Sequence, residues 1–266
     1  MRCVDVMREP LMVDKDEKIA RAFELIERKK DTHVVVTDEG KVVGILSVKD
    51  LLRTVLDRMR WGSLRAGKLY VSTIMTPNPI FVSPNTDIED MASIMISKGI
   101  SSVIIGSGLD DLDEIGIITK RDILQCWDKL YKGGLRVGEI MSKDPTVIHP
   151  GTSIKHAEWI LRNRKISTLP VLDEGELVGY LDARLLSLFI VKAYLKKDIK
   201  HFDKYLEETT VSDAMKAPHH VDEDQSLLET AELLVKRRAK GTPVLMGNKL
   251  TGVVTETDFT KLLVKK

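Results

Sequence analysis

The sequence predicts an α/β fold made of four tandem copies of one β-α-β-β-α unit. Three observations carry this prediction: a short segment ending in Met occurs four times, an amphipathic helix pattern follows each copy, and two short apolar runs follow each helix. Self-similarity at a nearly fixed period is the sequence signature of a repeat architecture, because each unit can bury its apolar face only against a neighbour.

The Met-ended segments set the register of the repeats. They end 66 to 74 residues apart, at Met7, Met75, Met141 and Met215. The first apolar residue of the predicted helix follows 12 or 13 residues later, at Ile19, Ile88, Ile154 and Leu227. A glycine inside an apolar strand comes 25 to 28 residues further on, at Gly44, Gly116, Gly179 and Gly252. The repeated distances predict one architecture for all four copies.

Each element of the unit has its own signal. The first helix places apolar residues at i, i+3, i+4 and i+7, as at Ile19, Ala22, Phe23 and Ile26, which is the stripe of a helix packed on a core. Two β-rich runs joined by a short polar segment with Gly, such as residues 38–41, indicate a hairpin. A second helix, residues 48–56 in the first copy and 121–130 in the second, closes the unit. The predicted repeat boundaries are 1–58, 69–132, 135–196 and 209–266.

Composition places the chain among globular proteins and restricts its function. Of 266 residues, 43% are hydrophobic and 30% are charged, with a formal net charge of +1, so no overall field draws the molecule to nucleic acid or to an anionic membrane. The longest apolar stretch, residues 185–191, is far short of the ~20 residues that span a bilayer, and the N-terminus has no apolar signal region. These features predict a cytoplasmic protein.

Metal and catalytic signatures are not apparent in the sequence. Cys3 and Cys126 are far apart, and the histidines show no metal-ligand spacing, so we expect no metal. Because there is no G-x-S-x-G motif, P-loop or Cys–His signature, the sequence predicts a protein that is not an enzyme.

A polar motif recurs where the last strand of a unit meets the closing helix. A hydroxyl residue stands at the boundary and an aspartate follows three residues later, in the pairs Ser47 and Asp50, Thr119 and Asp122, and Thr255 and Asp258. The hydroxyl suits a helix N-cap, the aspartate suits the positive end of the helix dipole, and the first N–H groups of the helix can bind an anion. The third repeat departs from this pattern, with Asp182 at the hydroxyl position and Leu185 at the aspartate position.

The combined pattern V-x-x-x-M-x-x-x-P, a helix, I-S-x-L-P-V-L-D and G-h-h-T-x-x-D resembles the CBS domain. Four registered copies resemble a pair of Bateman modules, as in the γ subunit of AMP-activated protein kinase and in archaeal single-chain proteins with four CBS repeats. The resemblance implies two repeats per module, a disk-like arrangement of the modules, and adenosine-containing ligands in clefts between paired repeats. It leaves no part of the chain for a catalytic domain.

The resemblance also assigns residues to each cleft. The aspartate and its hydroxyl neighbour would hold ribose and phosphate, and the partner repeat would supply the adenine side and a cation. The cleft at Asp50 would include Pro79, Ile80, Ser101, Ser102 and the phosphate-binding Arg121. The cleft at Asp122 would include Thr32, His33 and Lys49. The cleft at Asp258 would include Thr146, Ile166, Ser167 and Thr168. Lys240 would face the cleft of the third repeat, where Leu185 cannot accept a hydrogen bond from a ribose, so we expect that cleft to be empty or to hold a different ligand, such as a phosphate ion.

Three functions remain open on this evidence. The leading one is a regulatory, energy-sensing module that binds AMP or ADP, with ATP competing, and transmits occupancy to an unidentified protein such as a kinase or another enzyme. The second is a sensor of S-adenosylmethionine or another adenosyl ligand. The third is nucleic-acid binding, suggested by a lysine-rich connector with Lys192, Lys196, Lys197, Lys200 and Lys204. The near-zero net charge argues against the third function, and a monomer and a homodimer are both compatible with the sequence.

Overall fold

The structure is a computed structural model that describes residues 1–61, 68–106, 108, 112, 114–196 and 201–264. The described chain forms two compact units. The first unit contains residues 1–119 and 187–202, and the second contains residues 120–186 and 203–266.

The first unit contains the strands of the first two repeats, in two sheets. A four-stranded sheet has the order β1-β2-β3-β4, formed by Met12–Asp14, His33–Asp38, Lys41–Ser47 and Thr76–Pro77. A three-stranded sheet has the order β5-β6-β7, formed by Phe81–Val82, Ser102–Ile105 and Gly116–Thr119. In both sheets the first strand runs parallel to the second. The second and third strands form the antiparallel hairpin that the sequence predicts.

Helices cover these sheets and supply much of the core. They are α1 (Ile19–Lys29), α2 (Val48–Trp61) and α3 (Ile88–Lys98). Helices α1 and α3 begin at the first apolar residues on which their prediction was based, and the stripe residues are buried. An apolar cluster around Val35, Val42, Ile104 and Ile115 joins the hairpins of the two repeats. The first two repeats therefore share one core.

The second unit is built on the same plan. One sheet has the order β11-β12-β13-β8 and the other pairs β9 with β10; these strands are Ser142–Lys143 (β8), Thr168–Asp173 (β9), Glu176–Asp182 (β10), Val221–Asp222 (β11), Gly241–Met246 (β12) and Lys249–Thr255 (β13). The remaining helices are α4 (Lys120–Gln125), α5 (Trp127–Leu130), α6 (Val137–Ile140), α7 (Ile154–Asn163), α8 (Ala183–Lys196), α9 (Phe202–Glu208), α10 (Leu227–Arg237) and α11 (Glu256–Leu263). Helix α8 begins in the second unit and belongs to the first from Ser187 onward.

The segments that lead to the four methionines form short helical turns, at Cys3–Asp5, Val71–Thr73, Val137–Ile140 and Val211–Asp213. One local prediction is wrong. The closing helix of the second repeat, predicted as continuous over 121–130, is interrupted at Cys126, whose ψ of 16° departs from the helical value. The four-copy β-α-β-β-α organisation is confirmed.

The repeated Met and Gly residues meet each other across paired repeats. A Cβ placed on Gly44 would lie 2.6 Å from Met75 Sδ, and one on Gly252 would lie 2.5 Å from Met141 Sδ. Gly116 and Gly179 receive Met7 and Met215 in the same way. Each unit thus contains two reciprocal Met–Gly contacts, so both residue types have a packing role in every repeat.

Candidate functional site

The predicted site residues lie at the ends of the four hairpins. There, a residue that begins one strand is paired directly with the boundary residue that ends the next. The four cross-strand pairs are His33 with Ser47, Ser102 with Thr119, Thr168 with Asp182, and Gly241 with Thr255. Since directly opposed side chains have Cβ atoms about 5 Å apart, the first two hairpins each bring two predicted ligand-binding residues together. In the third and fourth hairpins, one residue of each pair, Thr168 and Thr255, belongs to the predicted set.

In the first repeat, Asp50 forms a tight polar cap with Ser47. Asp50 Oδ2 accepts from the Ser47 backbone N–H at 2.9 Å and from the Ser47 hydroxyl at 2.6 Å. The other oxygen, Oδ1, accepts from Arg53 Nη2 at 3.1 Å, and Arg53 is largely exposed. The cap therefore uses one carboxylate oxygen, and the second is held only by a surface arginine that a ligand could displace.

The fourth repeat reproduces this arrangement. Asp258 Oδ2 accepts from the Thr255 backbone N–H at 2.9 Å and from the Thr255 hydroxyl at 2.7 Å. Asp258 Oδ1 lies 3.7 Å from Lys261 Nζ, too far for a hydrogen bond, and the side chain is 11% exposed. One oxygen of this partly buried carboxylate is available to accept hydrogen bonds from a pair of hydroxyl groups.

In the third repeat the carboxylate has a different function. Asp182 is fully buried, and its Oδ1 accepts from the Leu185 backbone N–H at 2.7 Å. Its Oδ2 accepts from the Lys240 backbone N–H at 3.0 Å, which links the hairpins of the third and fourth repeats. Both oxygens are engaged by main-chain groups, so Asp182 stabilises the fold and Leu185 leaves no acceptor for a ribose.

The hairpin ends of the first two repeats are joined through His33. Its Nδ1 lies 2.9 Å from the Thr32 hydroxyl and its Nε2 lies 3.2 Å from the Ser101 hydroxyl, and the His33 side chain is buried. The resemblance assigns His33 to the cleft at Asp122. Both of its ring nitrogens lie within hydrogen-bond distance of a hydroxyl group, and its role in phosphate binding stays a prediction.

The adenine-side residues predicted for Asp258 lie in the same unit as that aspartate. A Cβ on Gly241 would lie 2.7 Å from Thr168 Oγ1 and 2.8 Å from Thr255 Cγ2, so the missing side chain of Gly241 lets the two threonines converge. Thr168 Oγ1 is buried and has no hydrogen-bond partner among the described residues. A buried hydroxyl without a partner costs free energy, which a ligand that reaches it can recover.

The other predicted residues near these hairpins have local backbone or side-chain partners. The Ser167 carbonyl accepts from Ala183 N–H at 2.8 Å, and the Thr146 hydroxyl accepts from Arg164 Nη1 at 3.0 Å. The Ile80 carbonyl accepts from Ile104 N–H at 3.1 Å, beside Pro79. Ile166 donates its N–H to the Leu161 carbonyl at 3.1 Å.

Three further predicted residues can be placed by their burial. Thr119 and Asp122 are buried at the end of β7 and on the first turn of α4, and Lys49 is exposed on the first turn of α2.

Arg121 and Lys240, predicted to contact phosphate, are both paired with an acid. Glu256, whose side chain is 4% exposed, lies 3.2 Å from Arg121 Nη2 and 2.8 Å from Lys240 Nζ. The sequence analysis did not single out Glu256, although it follows the boundary residue Thr255 directly. The charge of Arg121 and of Lys240 is thus taken up within the protein, and the ammonium group of Lys240 points to Glu256 instead of serving the third-repeat cleft.

A cavity of about 200 Å³ lies at the hairpin end of the third repeat. Tyr180, Arg184 and Leu185 line one side, and Lys216, His219 and Arg237 line another. None of these residues belongs to the predicted ligand-binding set, and Leu185 was named only as the position where the third repeat lacks a carboxylate. The basic residues belong to different elements and are distant in sequence, so no local motif brought them together in the sequence analysis.

The lysine-rich connector is partly described. Lys192 Nζ lies 2.6 Å from Glu27 Oε1, and Lys204 Nζ lies 3.4 Å from Glu208 Oε1. Lys197 and Lys200 lie outside the described residues, as does the side chain of Lys196. The two lysines that can be assessed are ion-paired, which weakens the case for a basic nucleic-acid surface on this segment.

The described ranges contain neither a membrane-spanning helix nor a metal-binding cluster. No helix there is long and apolar enough to cross a bilayer. Nor does that part of the chain hold a cluster of three or more His, Cys, Asp or Glu residues that could bind a metal ion.

The hairpin ends, the repeated caps and the reciprocal Met–Gly contacts define a protein made of paired repeats of one α/β unit. The chain belongs to the CBS domain family, whose model matches residues 3–57, 71–128, 137–191 and 207–265.

Comparisons with individual proteins agree with this assignment. The crystal structure of protein MJ1225 from Methanocaldococcus jannaschii, a candidate archaeal homologue of γ-AMPK, is similar with a TM-score of 0.81 and 24% identity, covering 99% of this chain and all of that one. A protein from Pyrococcus horikoshii is similar with a TM-score of 0.65 and 20% identity, covering 99% of this chain and all of that one. These two likenesses establish the four-repeat fold.

Part of the chain also resembles an enzyme. Inosine-5'-monophosphate dehydrogenase from Staphylococcus epidermidis is 30% identical over 122 residues, 46% of this chain. The match spans 24% of the dehydrogenase's length.

Proposed function

We propose that this chain is a non-catalytic regulatory module that binds adenine nucleotides, AMP or ADP with ATP competing, at the hairpin ends of its CBS repeats. In this proposal the carboxylates of Asp50, Asp122 and Asp258 accept hydrogen bonds from the ribose hydroxyls. The regulated partner is another protein, such as a kinase or an enzyme, and the module works in the cytoplasm.

The observation that carries the proposal is the arrangement at Asp258. One carboxylate oxygen is fixed by Thr255 and the other forms no hydrogen bond, while the buried Thr168 hydroxyl across Gly241 has no partner among the described residues. An acceptor for a diol and an unsatisfied hydroxyl for a second polar group are the features that recognition of a ribonucleoside requires.

S-adenosylmethionine remains the alternative, because a ribose clamp does not contact the group on the 5′ carbon. Titration calorimetry with AMP, ADP, ATP and S-adenosylmethionine ranks these ligands. 2′-Deoxy-AMP is the matched control, since it keeps the base and phosphate but lacks one hydroxyl. We expect it to bind about tenfold or more weakly than AMP, because one charge-assisted hydrogen bond is lost. Equal affinities for AMP and 2′-deoxy-AMP would contradict the clamp.

Stoichiometry and turnover test the remaining parts of the proposal. Because Leu185 replaces the carboxylate in the third repeat, saturation should stop at three ribonucleotides or fewer per chain. Incubation with ATP and Mg²⁺ followed by chromatography should yield no protein-dependent product. Product in large excess over the protein would show that the module is catalytic, and four equivalent bound nucleotides would show that the carboxylates do not decide binding.

A further inference from the structure

The cavity at the third-repeat hairpin carries positive charge that no ion pair with a described residue neutralises. Arg184, Lys216 and Arg237 line it, and their side chains form no ion pair or hydrogen bond with any residue that the structure describes. This distinguishes them from Arg121 and Lys240 in the same unit, which share the buried Glu256. Asp182 and Glu256 act electrostatically on Arg184, but main-chain N–H groups occupy both oxygens of Asp182, and its carboxylate forms no ion pair with the guanidinium.

Buried polar atoms also lack partners in this cavity. His219 is 6% exposed, and neither of its ring nitrogens has a hydrogen-bond partner among the described residues. Arg184 Nε is buried and unpartnered as well. The His219 ring packs edge-on against Tyr180, with centroids 4.2 Å apart, which holds its position. Buried donors without partners are rare in folded proteins, so this group calls for a ligand.

The two walls of the cavity are held together by the main chain. Tyr180 and Lys216 exchange backbone hydrogen bonds of 3.2 and 3.0 Å. This pairing fixes the start of the Lys216–His219 segment against β10, which leads into the turn that carries Arg184 and Leu185. The cations therefore converge on one space because of the fold and do not depend on a flexible loop.

The chemistry of the walls selects the class of ligand. Three cations and the buried Arg184 N–H suit a multiply charged anion, and Arg is well matched to phosphoryl oxygens. Leu185 offers nothing to a sugar diol. The volume of about 200 Å³ lies below the range of roughly 300–1,000 Å³ that holds drug-sized ligands.

We propose that this cavity is a binding site for a small phosphoryl anion without a ribose, either a free inorganic phosphate or pyrophosphate or the phosphate of a small ester. Arg184 binds the anion from the inner wall, and Lys216 and Arg237 close over it from the exposed side. His219 contributes a ring N–H. The site is independent of the ribose-binding positions at Asp50 and Asp258.

The test is calorimetric titration of the full chain, in buffer free of phosphate and sulfate, with inorganic phosphate, pyrophosphate and glycerol 3-phosphate. Comparing these three probes distinguishes a free anion from a small ester. We expect one site per chain for the preferred probe and a loss of affinity of about 10- to 100-fold in Arg184→Gln and in Arg237→Gln. Lys236→Gln is the matched control, because Lys236 is exposed on the same helix as Arg237 but does not line the cavity.

Each outcome decides the proposal. Arg237 is exposed, so its variant keeps the test valid even if Arg184→Gln fails to fold. The proposal is overturned if none of the probes binds wild type at millimolar concentration, or if Arg237→Gln binds as wild type does. A similar loss in Lys236→Gln would show diffuse electrostatic attraction and would also overturn it. AMP titrated into the same variants separates the two proposals, because AMP binding should be unchanged in Arg237→Gln whether or not the anion site exists.

Discussion

Replacing Asp258 by Ala separates a helix cap from a ribose-binding group. The substitution removes the acceptor of two hydrogen bonds from Thr255, of 2.9 and 2.7 Å, and the free oxygen Oδ1. Loss of the cap should cost about 1 kcal/mol of folding free energy. Loss of a charged acceptor for ribose hydroxyls should cost a further ~2–3 kcal/mol of binding free energy, or ~30- to 150-fold in affinity at that site.

The chain contains a matched control for this substitution. Asp213 Oδ2 accepts from the Thr210 backbone N–H at 2.9 Å and from its hydroxyl at 3.0 Å, which is the same cap on an exposed helical turn. Asp213→Ala should therefore lower stability by a similar ~1 kcal/mol and leave ligand binding unchanged. Urea denaturation measures the first quantity and titration calorimetry with AMP measures the second.

The comparison has a clear refuting result. If Asp258→Ala and Asp213→Ala both lose stability and both bind AMP with the wild-type affinity and stoichiometry, Asp258 is only a cap. The ribose-binding assignment would then fail for the repeat in which the structure supports it best.

Three further predictions concern the interior of the protein. Glu256→Gln should destabilise the chain by about 3 kcal/mol in urea denaturation, because Arg121 and Lys240 lose their buried partner. Glu208→Gln, which breaks an exposed ion pair with Lys204, should change stability by less than ~0.5 kcal/mol. Gly252→Ala should lower the free energy of unfolding by ~1–3 kcal/mol, since its Cβ would lie 2.5 Å from Met141 Sδ. Gly134→Ala, with open space around the residue, should be nearly neutral. Equal effects of the two substitutions would refute the Met–Gly contact as the reason for the glycine. Burial, reinforced by Arg237 and His220, lowers the pKa of His219 to about 4. As the pH falls, the histidine is therefore protonated in the unfolded chain before it is protonated in the folded one. The free energy of unfolding should drop by up to ~3 kcal/mol between pH 7 and pH 4. His219→Phe should lack this part of the acid destabilisation, because the variant has no imidazole to protonate. Parallel pH profiles of wild type and variant would contradict this prediction.

Features of the fold that depend on neighbouring residues could be predicted from the sequence. The stripe beginning at Ile19 predicted a helix that starts at that residue, and the spacing of Met and Gly predicted four copies of one unit. The contact of Met141 with Gly252 shows the packing role of the two residue types: each glycine opens a space for the methionine of the partner repeat. The cap between Thr255 and Asp258 was also predictable, because a side chain three residues into a helix can reach the backbone N–H and hydroxyl of the N-cap residue.

The partners of charged residues were not predictable in the same way. Arg121 and Glu256 are 135 residues apart, and Lys240 meets Glu256 only because the fourth hairpin folds back on itself. No local pattern distinguishes a phosphate from a carboxylate as the partner of Arg121. Likewise, nothing local to Arg184 indicated that Lys216 and Arg237 would line the same cavity.

The third and fourth repeats use their carboxylates in different ways on the same backbone plan. In the fourth repeat a hydroxyl and a carboxylate stand three residues apart, and the carboxylate keeps one oxygen free. In the third repeat the carboxylate occupies the boundary position, where the N–H groups of Leu185 and Lys240 take both of its oxygens. Its charge then stabilises the helix start and the neighbouring hairpin, so it has no oxygen left to accept from a sugar.

Lys240 connects these two hairpin ends. Its N–H donates to Asp182, and its carbonyl accepts from the N–H of Glu256, the residue after Thr255. Main-chain hydrogen bonds of Lys240 therefore connect Asp182 to the segment that carries Asp258. By thermodynamic linkage, the factor by which an anion at Arg184 changes nucleotide affinity at Asp258 must equal the factor by which the nucleotide changes anion affinity. Because AMP and a phosphoryl anion are both negatively charged, the proposed sites at Asp258 and Arg184 differ in whether they bind a ribose and not in the sign of the charge that they prefer.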